Sequence, residues 1–93
     1  MAPEPEALAQ IARLLGDASL RSASPETVSA AVEAGFERLV AGLLEEAAAS
    51  DDVTDRTSAL EFLEARLAYL AQLMTGEQKA RLSSALRAKI ETW

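Results

Sequence analysis

The stretch Leu60-Glu61-Phe62-Leu63-Glu64-Ala65-Arg66-Leu67-Ala68-Tyr69-Leu70-Ala71-Gln72-Leu73-Met74 decides the fold class. Leu60, Leu63, Leu67, Leu70 and Met74 recur at alternating spacings of three and four, the period of one helix face. Phe62, Tyr69 and Leu73 make a second apolar stripe on the same segment. A helix in a small domain normally buries one face, so two stripes call for a central position or a second chain. The reading is an all-α domain whose third helix, residues 53–74, meets two partners.

Outward toward the carboxyl end, Thr75 followed three residues later by Gln78 is a capping box, and it starts a fourth helix over 76–92 with the stripe Leu82, Leu86, Ile90 and Trp93. So short a turn predicts an antiparallel hairpin, with a kinked continuous helix as the alternative. Toward the amino end, Ser50, Asp51 and Asp52 break the apolar pattern. Ahead of them Ser24, Pro25 and Glu26 combine an amide acceptor, a residue with no donor to lose and a charge suited to the positive helix end. They open a long core helix over 24–49, with Val28, Val32, Phe36, Leu39, Val40, Leu43 and Ala47 within an arc of roughly 120°. Beside that arc Ala31, Gly35 and Gly42 leave a groove almost without side chains, which another helix could approach closely. The first helix spans 5–15 and closes at Gly16, and residues 17–23 form a loop with Leu20 turned inward.

Composition narrows the function classes. A chain of 93 residues allows one domain, 1–93, with a thin stability margin that self-association would widen. Of its residues 49% are hydrophobic, yet twenty are alanines and only Phe36, Phe62, Tyr69 and Trp93 are aromatic, so Leu, Val and Ile must build the core at close interhelical distance. There is no cysteine and no histidine, which removes disulfides, thiolate chemistry, imidazole ligands and the usual neutral-pH base. The opening MAPEPEALAQ carries Glu4 and Glu6 where a secretory signal would carry Lys or Arg, and no segment approaches about 18 apolar residues; a cytoplasmic protein with no membrane partner is expected.

Residues 1–74 hold five basic and thirteen acidic side chains, net −8, and residues 75–93 hold four and two, net +2, together the −6 of the chain. An acidic body repels phosphates and anionic lipid, while the basic last helix could pair with its own domain or with a second copy. A nucleic-acid reading would make Gln78, Lys79, Arg81 and Ser83 the start of a recognition helix, but backbone-contacting cations are sparse.

Asp51, Asp52 and Asp55 spell D-D-x-x-D, the spacing with which isoprenoid synthases bind magnesium diphosphate. Those enzymes need a large helical cavity and a second metal-binding segment, whereas acidic residues at a helix start are stabilised by its dipole. Glu45 and Glu46 lack the histidines of a di-metal bundle site, and two carboxylates doing acid and base work need a cleft. The expectation is no catalytic residue, no metal and no cofactor.

Met74 to Gln78 with Lys79 and Leu82 resembles the L-T-x-x-Q turns of periplasmic stress chaperones, although the capping box accounts for the same residues. Leu60, Leu63, Glu64, Leu67 and Leu70, then Arg81, Leu82, Leu86 and Trp93, are similar to the paired dimerisation helices at the carboxyl ends of modular polyketide synthase subunits, over about a third of the chain. That resemblance implies a docking or dimerisation element of a multi-enzyme assembly.

The sequence thus predicts a small four-helix bundle or helical hairpin domain, associating as a dimer. Its function is a non-catalytic protein–protein interaction module, self-associating or serving as an accessory or regulatory subunit. The interface residues are Phe62, Tyr69, Leu73, Ala31, Gly35 and Gly42, and the partner is another protein or a second copy, with no small-molecule substrate. A nucleic-acid-associated regulator using the basic last helix is the remaining alternative.

Overall fold

The computed structural model describes residues 4–93, and among them all regular structure is helical. Five α-helices follow one another: α1 Pro5–Leu15, α2 Pro25–Ala34, α3 Phe36–Ala49, α4 Arg56–Leu70 and α5 Gly76–Ile90. Short 3-10 turns at Ala18–Ser22 and Ala71–Leu73 join α1 to α2 and α4 to α5. The Cα radius of gyration is 12.8 Å, close to the roughly 12 Å of a compact chain this long.

Each helix starts where its capping chemistry dictates. Ser24 Oγ accepts from the Thr27 amide at 3.3 Å ahead of Pro25. Asp55 caps α4: its carboxylate accepts from Ser58 N at 2.8 Å and Ser58 Oγ accepts from Asp55 N at 3.0 Å. Thr75 and Gln78 form the expected reciprocal pair, at 3.1 Å in both directions. Helix α1 closes on Gly16 at φ 68°, with the Asp17 amide bonding Ala12 O at 2.9 Å, a left-handed closure that Gly adopts without a Cβ penalty. The loop after it coils into a 3-10 turn that buries Leu20.

The segment 24–49 is not one helix. It breaks at Gly35, whose φ of −106° and ψ of 23° leave the helical region. The space a Gly35 side chain would fill is held by Leu15: an ideal Cβ would lie 2.7 Å from Leu15 Cδ2. Tertiary packing here overrides the continuous apolar period that the sequence displays. The break lets α2 lie on the 3-10 turn after α4 while α3 packs against all four other helices. Leu39, Leu43 and Ala47 of α3 are fully enclosed, joined by Ile11, Val28, Val32, Leu70, Leu82 and Ile90 in one core cluster. At the carboxyl end α5 stops at Ile90, so Trp93, expected on its apolar stripe, is 44% exposed.

Helices α4 and α5 are antiparallel. Arg56 at the start of α4 bonds the carbonyl of Trp93 beyond α5, and Glu64 in mid-α4 pairs with Arg87 late in α5, so position along one helix runs against position along the other. Met74, extended at φ −125° and ψ 154°, turns the chain between them.

One buried polar side chain ties α5 to α2. Gln78 is 2% exposed, and its amide nitrogen donates to Ser29 O at 2.9 Å and to Glu33 Oε1 at 3.1 Å. Its oxygen accepts from Thr75 N at 3.1 Å and from Ser29 Oγ at 3.3 Å. Both donors and both lone pairs are therefore used, the condition under which a buried amide is tolerated. Replacing Gln78 by Ala strips the box and leaves Ser29 and Glu33 short of partners. Chemical denaturation of Gln78→Ala is expected to show a loss of about 2 kcal/mol, on the order of 10 °C in Tm.

Candidate functional site

The six expected interface residues do not form one surface. Leu73 is 4% exposed and belongs to the core, which corrects its place on an outer stripe. The reason is local: α4 gives way at Ala71 to a 3-10 turn, in which residues three apart eclipse, so Leu73 follows the fully enclosed Leu70 inward. Gly35 and Gly42 face the end of α1. A Cβ on Gly42 would stand 2.9 Å from Leu14 Cδ2, as one on Gly35 would meet Leu15. The helix that approaches the small-residue groove is thus α1 of the same chain. Ala31 and Gly35 line an open depression of about 800 Å3 with Leu15 and Phe36, and Gly42 lines another of about 520 Å3 beside Arg38 and Glu45.

Phe62 and Tyr69 remain together on one face of α4. Both are half-buried and rest on the core cluster, and with Ala65 and Arg66 they line a shallow groove of about 240 Å3. Arg66 is the residue that the apolar stripe did not reveal. Its guanidinium carbon lies 5.1 Å from the centre of the Phe62 ring, a cation–π contact whose signal in the sequence is the spacing of four between them. Arg66 and Tyr69 also border a larger open groove of about 890 Å3 along α1, with Ala9, Arg13, Gly16 and Arg21. The Tyr69 hydroxyl is enclosed, and no acceptor completes a well-formed hydrogen bond to it among the described residues. Desolvation, reinforced by the Glu4 and Glu6 carboxylates on that side, holds the phenol above its ordinary value of 10.0. At neutral pH it stays protonated, with the Glu4 carboxylate the acceptor on its side.

Four arginines hold helices together through ion pairs. Glu46 on α3 receives Arg13 of α1 at 3.2 Å and Arg66 of α4 at 3.6 Å. In the basic last helix Arg81 pairs with Glu33 at 3.0 Å and Arg87 pairs with Glu64, so two of its four cations turn on the acidic surface of their own chain. Of the four side chains that a recognition helix would present, Gln78 is buried, Arg81 is paired and Ser83 is half-buried. Asp55 of the D-D-x-x-D run is occupied as a cap, and its bonds from Ser58 hold its carboxyl below the ordinary 3.8. Among the described residues no group of three or more acidic side chains is placed to hold a metal ion. No helix there is long and apolar enough to cross a membrane.

Glu33 carries a consequence for acid stability. Hydrogen bonds from Gln78 and then Arg81 hold its carboxyl below the ordinary 4.5, so the folded state binds its proton less readily than the unfolded chain. Its contribution is complete above pH 4.5 and is lost as pH falls from there through the folded-state value. Urea titrations between pH 6 and pH 3 should show stability declining below about pH 4.5, with a shallower decline in Glu33→Gln. Gly42→Leu, which drives a branched side chain into Leu14, is expected to lower stability by about 1–3 kcal/mol in the same assay. Compared with protein-family models, with characterised proteins and with solved structures, the chain matches none.

Proposed function

We propose that this protein is a non-catalytic helical interaction module, an accessory or regulatory subunit that docks another protein through the α4 face of Phe62, Ala65, Arg66 and Tyr69. The single observation that carries the reading is the company these four side chains keep. Aromatic and arginine side chains are the types that concentrate binding energy at interfaces, and here two aromatics flank an arginine on one helix face beside an exposed alanine that permits close approach.

Charge selects the partner. Glu61 is exposed on α4, Glu4 and Glu6 act on Tyr69 from α1 and the residue before it, and the chain carries −6 overall. Two copies brought together on this face would oppose like charges. The patch is also far smaller than the roughly 1,000 Å2 that a specific interface buries, so the aromatic pair serves as the anchor of a wider contact with a larger, basic protein surface. A dimerisation element and a self-associating subunit use the same face and differ from this reading in what covers it.

The test places a photo-cross-linking residue at Ala65 in the cell, with Ala88 on the exposed side of α5 as the control position. Expected is an adduct at Ala65 but not Ala88, heavier than twice the 9.9 kDa chain, lost on Tyr69→Asp, and containing a net-basic protein by mass spectrometry. An adduct of twice 9.9 kDa would assign the face to a second copy and overturn the basic partner. No adduct at Ala65 would overturn docking through this face altogether.

A further inference from the structure

Arg81 touches both sides of the break between α2 and α3. Its guanidinium donates to the two carboxylate oxygens of Glu33, in the last turn of α2, at 3.0 Å each. The same guanidinium lies 4.8 Å from the ring centre of Phe36, the first residue of α3. Gln78, one turn earlier on α5, holds Glu33 and Ser29, and Leu15 occupies the Cβ space of Gly35. The backbone on either side is ready to continue as helix: Gly35 N bonds Ala31 O at 2.8 Å and Leu39 N bonds Gly35 O at 2.9 Å. Gly35 reaches helical values by rotating about 45° in φ and about 65° in ψ. The apolar positions Val28, Val32, Phe36, Leu39 and Leu43 already share one helical period across it.

We propose that Gly35 is a hinge latched by Arg81, and that unlatching it lets α2 and α3 merge into one straight helix that exchanges its amino-terminal arm, α1 and α2, with a second copy of the chain. The latch is exposed, with Arg81 and Glu33 side chains 44% and 51% accessible, so it is weak enough to be released. Straightening withdraws Val28 and Val32 from the core and Leu15 from its notch. The surface so uncovered fits only the arm that left it, and in a pair of opened chains the arm of each copy is the complementary occupant for the other.

The experiment uses the full chain, whose lack of cysteine allows two nitroxide labels at exposed Glu26 and Ala48. In a straight helix those Cα atoms stand roughly 33 Å apart, and in the bent form they are closer. Gly35→Ala raises helix propensity and pushes a Cβ against Leu15, while Arg81→Gln removes the fork and the stacked cation. Expected for the double variant is a second distance population near 33 Å, retained helical circular dichroism, and a light-scattering mass that doubles from 9.9 kDa with concentration, while the parent shows the shorter distance alone. Gly35→Ala by itself should move part of the way. A double variant that keeps the short distance overturns the hinge, as does one that loses its helicity without a long-distance population. Straightening in a chain that stays at 9.9 kDa overturns the exchange.

Discussion

The buried amide of Gln78 occupies the point where two demands of the chain meet. Helix α5 needs an acceptor for its first free amides, and α2, with only Val28 and Val32 buried, needs more than apolar area to stay in place. One side chain answers both, closing the box with Thr75 while bonding Ser29 and Glu33 across the interface. Because every polar function of the amide is satisfied, the site is polar without being costly, and it fixes the register of α2 on α5. Arg81 extends the tie to the start of α3. The course of the chain through Gly35 depends on this group of contacts.

Close packing supplies the rest. A chain with twenty alanines fills its interior by bringing helices near one another, and α1 lies against α3 where Gly35 and Gly42 leave room for Leu15 and Leu14. Helix α3 then touches every other helix, which leaves α4 with one face on the core and one half-covered. The apolar surplus of α4 is shared out unequally: Leu73 goes inward, while Phe62 and Tyr69 stay at the surface with Arg66. The proposed docking face, two aromatics and a cation with an acidic fringe, suits an anchor in a larger contact better than a free-standing dimer interface.

Much of the architecture could be read from residues alone. The all-helical class followed from apolar spacing, the start of α2 from Ser24 and Pro25, the start of α5 from Thr75 and Gln78, and the end of α1 from Gly16. The candidate face was only half legible. Phe62 and Tyr69 were visible as large apolar side chains at helical spacing, but Leu73 was misplaced because a change from α to 3-10 winding carries no clear mark in the sequence. Gly35 and Gly42 marked a groove open to a neighbouring helix, and that helix, α1 of the same chain, had to be found in space.

What the sequence by itself determined, then, is local: which segments wind into helices, where caps begin them, and which chemistry the absence of Cys and His removes. These properties depend on neighbours within a turn or two, so they are written along the chain. Only the tertiary structure decided that residues 24–49 break at Gly35, that the basic last helix spends Arg81 and Arg87 on its own acidic surface, and that Gln78 joins two helices. Each of those outcomes sets a small local preference against contacts between residues twenty or more positions apart, and a continuous helix loses to the combined grip of Leu15, Gln78 and Arg81.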